Sequence, residues 1–509
     1  MAEKLDCRKA MGKSGKPTCG RERRFRHYSL GRSWETLGSV IIDASWRFAA
    51  VTTMKMTKTM LIGIICSMIK IADKLLRAKR LGFASAFLRP PALAAPPPFR
   101  AFSNKSGLDV SLNVNPIALQ MTNYALSLAR SQMSDDAYAQ AQLVLEQCYS
   151  IHSDKSARGV VLLAMARLLY HRGNYEDAIE KLQKIQDSSL SSIIVRVAAA
   201  EALVGLHLEL GQDDAATAAA DMCLQFLESM KLDIECEGFE VLGDHSKAFK
   251  GLVELIRGNA ESAMSYFPKV LDEGCSSIVM GRCTGNAALT YGEFLHHMRD
   301  FEMAKKMYTR VIGEEESPGM EYNNLHQLLA CNMSYEDTIL GATCALGQLE
   351  AHLGNFDNAE KMLTAALKKA EQTFGDRHHK VGVILTCIAL LYRHKATVEQ
   401  STSLLIQEGL YRRAVEVFKA PPLEFEGLTY REVLLSHMTS HEFLLAHLLG
   451  GYAEILCLQQ NRKAEGERMK LWAESAWRNR TLSLAEALEP PSKTSSKVAV
   501  IDTRVCRII

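Results

Sequence analysis

A six-residue pattern that opens on glycine and closes on alanine recurs along this chain, and it constrains the fold more than any other feature. Its clearest copy is Gly173-Asn-Tyr-Glu-Asp-Ala178. Further copies open at Gly211, Gly258, Arg299, Gly354 and Gly409 and close at Ala216, Ala263, Ala304, Ala359 and Ala414. A weaker copy runs from Asp136 to Ala141. The alanines stand 37, 38, 47, 41, 55 and 55 residues apart. Four residues beyond them stand Leu145, Leu182, Phe267, Tyr308, Leu363 and Phe418, with Ala220 the exception. Seven residues ahead of the glycine position another small residue often stands: Ala166, Gly251, Gly292 or Gly347.

Each position has a physical role. A glycine after a helix takes the left-handed conformation without a Cβ penalty. The Asn or Asp that follows can cap the free amides of a second helix, and acidic residues in its first turn favour the positive dipole end. An alanine facing a small residue lets two helix axes approach closely. The large apolar residue one turn later is expected to fill the groove toward the next unit. The flanking segments, such as SARGVVLLAMARLLYHRG, keep a helical period, and no strand pattern interrupts them.

Two helices with small and aromatic positions at these spacings, joined by a glycine-containing turn, resemble tetratricopeptide repeats. Their usual period is about 34 residues, so the wider spacing here implies longer helices or connections. The span Leu346–Tyr392 is similar to the longer repeats of kinesin light chains, whose pattern A-L-x(n)-G-x-x-H-P-x-V is matched by Gly375, His378 and Val381. His379 stands where that pattern has proline. The resemblance implies an all-α fold, a right-handed superhelical solenoid of antiparallel helix pairs over residues 109–488. The span from Lys395 to Glu408 reads as an insertion or a lengthened helix pair. Residues 1–108 read as a disordered basic region and residues 489–509, with EPPSKTSSK, as a disordered tail.

The basic region has a further reading. Residues 74–108 hold seven Lys or Arg and no Asp or Glu, with PALAAPPPF breaking any helix. That is the composition of an organellar presequence. Arg100-Ala-Phe102-Ser103 resembles a matrix-protease site with the mature chain starting at Ser103, and Arg26–Ser29 fits the same short motif. The expected location is the mitochondrial matrix, with plastid or cytoplasm as alternatives. The apolar run Met60–Ile71 is too short to span a membrane, so no integral membrane segment is expected.

Chemistry is sparse. The formal net charge of +2 leaves no global footprint for nucleic acid. Thirteen cysteines occur without a C-x-x-C, which argues against a zinc ribbon or a disulfide framework. The histidines at 296–297, 378–379, 437, 441 and 447 lack the H-E-x-x-H spacing of a zinc helix. Neither a catalytic constellation nor a phosphate loop stands out; no enzyme activity, no cofactor and no metal are expected.

Binding is the default activity of a solenoid, whose first helices line a concave face. The repeat register places Arg167, Tyr170, His171, Asn286, Glu293, His296, His297, Gln348 and His352 on that face as a mixed polar groove for a partner peptide or helix. The positions where chaperone-binding relatives hold a C-terminal carboxylate carry Leu163, Arg167, Glu201, Gly205, Ala248 and Leu252, of which Arg167 alone is cationic. The expected function is a protein–protein adaptor or assembly factor. An RNA- or ribosome-associated repeat protein is the alternative, and a continuous Lys/Arg stripe on the concave face would favour it.

Overall fold

The computed structural model describes residues 115–509, apart from 188–191, 231–236, 268–282, 314–327, 401–402, 419–441, 480 and 492–494. The presequence residues Arg100, Phe102 and Ser103 lie outside the described residues, as do His437 and His441. Seventeen α-helices and two very short strands are described.

Sixteen of the helices form eight successive pairs. The first four pairs are α1 (Pro116–Gln132) with α2 (Asp135–Ile151), α3 (Lys155–His171) with α4 (Tyr175–Asp187), α5 (Ile193–Glu209) with α6 (Asp213–Met230), and α7 (Glu237–Ile256) with α8 (Ala260–Met264). Then come α9 (Gly285–His297) with α10 (Phe301–Gly313), α11 (Tyr335–His352) with α12 (Phe356–Phe374), α13 (His379–Glu399) with α14 (Leu404–Val417), and α15 (Glu442–Leu458) with α16 (Lys463–Ala476). A short helix, α17 (Leu484–Leu488), ends the array. The first helices of neighbouring pairs touch, and most second helices touch the first helix of the next pair. This is an all-α helical-repeat solenoid.

The repeated pattern builds the turns. Gly173, Gly211, Gly258 and Gly354 have φ between 72° and 83°, and Arg299 takes φ 67° at the equivalent position. At each of these turns two amides close the first helix. Gly354 N–H donates to Ala351 and Asn355 N–H to Glu350, at 3.1 and 2.8 Å, the two bonds of a Schellman motif. The cap expected of the Asn or Asp after the turn forms at Asp300, whose carboxylate accepts from the Met303 amide at 3.1 Å, but not at two of the asparagines. Asn259 and Asn355 make no side-chain cap; their amides donate backward to Glu254 and Glu350, at 2.9 and 2.8 Å.

The copy at Gly409 is a correction. Gly409 lies inside α14, and the chain turns at Gln400, φ 52°. The preceding helix is lengthened to Glu399. Ala414 is nevertheless fully buried, like Ala141, Ala178, Ala216, Ala263, Ala304 and Ala359. The large residue after the alanine also differs from expectation. It packs back on the glycine of its own first helix: a Cβ on Gly292 would stand 2.7 Å from the Tyr308 ring, and one on Gly347 2.7 Å from Leu363. Gly382 and Phe418 repeat the arrangement.

The solenoid winds far enough for early and late pairs to meet. Arg130 of α1 and Arg167 of α3 both pair with Glu336 of α11, at 2.8 and 2.5 Å. Lys380 of α13 lies over the Tyr170 ring of α3, 5.5 Å from its centroid. Helix α13 is long and apolar enough by composition to cross a membrane, yet it is the packed first helix of the seventh pair.

Residues 495–509 depart most from the sequence reading. Instead of a disordered tail, Ile501–Asp502 (β1) and Arg507–Ile508 (β2) form an antiparallel pair, with Ile501 opposite Ile508 and Asp502 opposite Arg507. Every residue from Val500 to Ile509 is buried. The hairpin contributes Val498, Val500, Val505 and Ile509 to one apolar cluster, which runs from α1 to α11. It contributes Ile501, Cys506 and Ile508 to a second cluster, which runs from α11 to α17. The segment is therefore a wedge between the two halves of the array.

Candidate functional site: a groove that holds a segment of its own chain

The concave face is polar because its first helices place polar residues one or two turns apart on one side. On α9 these are Asn286, Thr290, Glu293 and His297, at helical spacing. Helix α5 adds Glu201 and Glu209, α11 adds Gln348, and α13 adds Lys380. The turn Cys331–Met333, a single 3₁₀ turn ahead of α11, crosses to α3 and α5. There Asn332 donates to the Gly205 carbonyl and to Glu209, at 2.8 and 2.9 Å. Gly205 admits this crossing, since a Cβ there would stand 2.4 Å from the Asn332 amide oxygen.

The hairpin is held in this groove by three anchors. The first is Arg504. Its Nη2 donates to Glu293 at 2.5 Å, to Asp502 at 2.8 Å and to Thr290 at 3.2 Å. Its Nη1 donates to the Asn286 side chain at 3.1 Å, and its Nε to Asp502 at 3.2 Å. Arg504, Asp502 and Glu293 have fully buried side chains. Burial pushes the Glu293 carboxyl well above the usual carboxylate range, and Arg504 pulls the other way. Burial also works against the charge of Arg504, but Asp502 and Glu293 outweigh it and hold the guanidinium firmly protonated. Burial raises neighbouring Glu201 to about 7.

The second anchor reads backbone. Gln348 donates to the Ile501 carbonyl and accepts from the Ile501 amide, both at 2.9 Å. His297 adds a bond at each end of its own residue: its ring nitrogen meets the Val498 carbonyl at 2.8 Å, and its carbonyl accepts from the Val498 amide at 3.0 Å. The third anchor is Arg507. Its two terminal nitrogens pair with Asp213 at 3.0 and 3.1 Å, one of them also donates to the Leu208 carbonyl, and the guanidinium lies 3.7 Å over the Phe443 ring.

The residues assigned to the groove from the sequence separate into three groups. Asn286, Glu293, His297 and Gln348 are brought together, but buried under the hairpin rather than exposed to a partner. His296 and His352 meet each other at 2.8 Å behind that contact, and His296 also reaches the Tyr308 hydroxyl at 3.2 Å. Arg167, Tyr170 and His171 lie at the seam between early and late pairs. Tyr170 donates to Glu209 at 3.1 Å, and the His171 ring lies 5.9 Å from that of Phe374. At this seam burial raises Glu336, but Arg167 and Arg130 outweigh it and hold the carboxyl at about 2. Sequence reasoning missed Asp213, Arg504, Arg507 and Phe443. The available signal was the short apolar run Val498–Ile501, hidden behind a polar, proline-containing stretch.

Residues 340–380, most of α11, all of α12 and the entry to α13, match a family model described as Tetratricopeptide repeat. This match and the paired helices are consistent with a TPR-like repeat protein. Repeats of this type point to protein partners and generally act as non-enzymatic scaffolds. Among curated proteins, none matches the chain. The residues of the kinesin-light-chain-like stretch take up their turn: Gly375 closes α12 at φ 91°, His378 accepts from the Lys380 amide at 3.3 Å, and Val381 is fully buried.

Proposed function

We propose that the protein is an adaptor or assembly factor of the mitochondrial matrix that engages partners by holding a peptide segment in its concave groove. One observation carries this reading: the groove already holds a peptide. Gln348 and His297 satisfy the backbone of residues 498 and 501, while Glu293 and Asp213 each take an arginine. Backbone bonds with pockets for alternate side chains are the physics of strand-type peptide recognition. A partner segment would present an arginine to Glu293 and an extended backbone to Gln348. The resident segment competes at the high effective concentration of a tethered ligand, so a partner must displace it or find it already released. The location rests on the basic, acid-free composition of residues 74–108.

The RNA alternative gains little from this groove, whose described lining sets Lys380 against Glu201, Glu209, Glu293 and Asp337. The test compares the full chain with one ending at Pro491, using a fluorescent peptide of residues 495–509. The shortened protein should bind the peptide, Glu293→Ala should weaken binding at least about tenfold, and the full chain should bind it poorly. A folded, shortened protein that ignores the peptide would refute the groove reading. Failure to recover the protein from purified mitochondria would refute the location.

A further inference from the structure

Behind the hairpin, three side chains with metal-binding atoms converge from distant parts of the chain. Glu209 is the last residue of α5, His379 the first of α13, and Cys506 lies in the turn of the 495–509 hairpin. Their ligand atoms all lie within 4.8 Å of one another, and His379 Nε2 stands 3.0 Å from Glu209 Oε1. We propose that Glu209, His379 and Cys506 bind a zinc-class divalent cation that pins the 495–509 segment in the groove.

The donor set is the first argument. One carboxylate oxygen, one imidazole nitrogen and one thiolate sulfur suit zinc, whereas magnesium and calcium prefer oxygen ligands alone. Ligand atoms around a tetrahedral zinc stand roughly 3.3–3.8 Å apart, so small side-chain rotations close the set. The second argument is the support behind the carboxylate. The Tyr170 hydroxyl and the Asn332 amide hold the other oxygen of Glu209, at 3.1 and 2.9 Å, and leave Oε1 toward His379. Outer donors that fix a carboxylate in this way are characteristic of metal sites. The third argument is charge. The neighbouring cation, Lys380, is engaged by Asp337. A dication would balance the Glu209 carboxylate and a Cys506 thiolate.

Binding releases one proton: Cys506 S–H is lost to solvent as the S–metal bond forms, and His379 binds as the neutral imidazole. Without a cation, burial pushes the Cys506 thiol well above its ordinary range and keeps it protonated. The competing description is a buried His379–Glu209 pair beside an inert thiol.

Cobalt(II) titration of the full, chelator-stripped chain separates the two. The proposal expects one cobalt per chain, with a near-ultraviolet thiolate-to-metal band that Cys506→Ser removes. His379→Gln should weaken binding more than about tenfold. No bound cobalt, or a band unchanged in Cys506→Ser, overturns it. A readout on the unmodified chain guards against variants that fail to fold. Zinc should slow iodoacetamide alkylation of Cys506, mapped by mass spectrometry, at least about tenfold while leaving Cys457 unaffected. Equal rates with zinc and with chelator overturn the proposal. Neither readout depends on a partner, so its failure is distinct from failure of the groove reading.

Discussion

Arg504 carries a full positive charge into the closed groove, and the groove supplies acceptors for its guanidinium fork from Glu293, Asp502, Thr290 and Asn286. Removing one member of such a buried pair leaves the other uncompensated, at a cost of about 3–5 kcal/mol. Arg504→Met should therefore release residues 495–509, read as fast amide hydrogen exchange at 498–509 with the outer helices still protected. Lysine should not rescue it, because a point charge cannot occupy the fork geometry. Two glycines give a second prediction at this scale. Gly354 sits at φ 82°, and alanine there should cost about 1 kcal/mol or more. Gly409 lies exposed inside α14, and alanine there should stabilise by about 0.5–1 kcal/mol. Urea unfolding of both variants would show opposite shifts; a loss of stability at Gly409 would restore the turn that the sequence pattern placed there.

The helix pairs owe their spacing to glycine–large contacts. Gly292 against Tyr308, Gly347 against Leu363 and Gly382 against Phe418 leave no room for a methyl group. Gly347→Ala should destabilise by about 1–3 kcal/mol through overpacking, measured by urea unfolding, with the cost reduced in a Gly347→Ala, Leu363→Ala double variant. Gly292, Gly347 and the Schellman turns were legible in the sequence because the pattern that carries them is local, whereas the pairing of each glycine with the large residue was not, since that residue was expected to fill the groove toward the next unit. Gly409 was misread because GLYRRA copies the shape of the pattern but not its electrostatics. Arg412 and Arg413 replace the acidic first-turn residues, and cations oppose the dipole at a helix start. The occupied groove was not legible. Arg504 meets Glu293 across 211 residues and Arg507 meets Leu208 across 299, and no periodicity reports a contact between segments so far apart. The set of Glu209, His379 and Cys506 escaped for the same reason, since motif spacing finds ligands only when they share an element.

Across the whole molecule, the buried histidines set how stability responds to acid. Burial lowers His296 and His394 to about 3, and His171, His297 and His447 to about 4. Their folded values lie below the unfolded 6.5, so the unfolded chain takes up protons first as pH falls. Their contribution is complete above about pH 6.5 and is lost progressively down to about pH 3, where His296 and His394 titrate. Glu201 runs the opposite way, because its raised value of about 7 favours the fold at low pH and loses that benefit as pH rises through 7. Glu293, also raised by burial, acts with Glu201, and His352, lowered by burial, acts with the other histidines; six histidines outweigh two carboxyls, and the urea midpoint should drop between pH 6.5 and 4.5. A midpoint that holds constant over that range would contradict the burial of the histidines.

The wedge also orders events during synthesis. Residues 498–509 are made only after every helix they touch, from α5 onward. Until they emerge, Glu293 and Gln348 lack the groups that they hold in the closed groove, and among the described residues the early and late pairs keep their seam contacts at Glu336 and Lys380. Closure is then a late, long-range step, of the kind that is slow because loop entropy is lost before the contacts form. On the proposed function, that interval is the one in which a partner segment would meet no internal competitor.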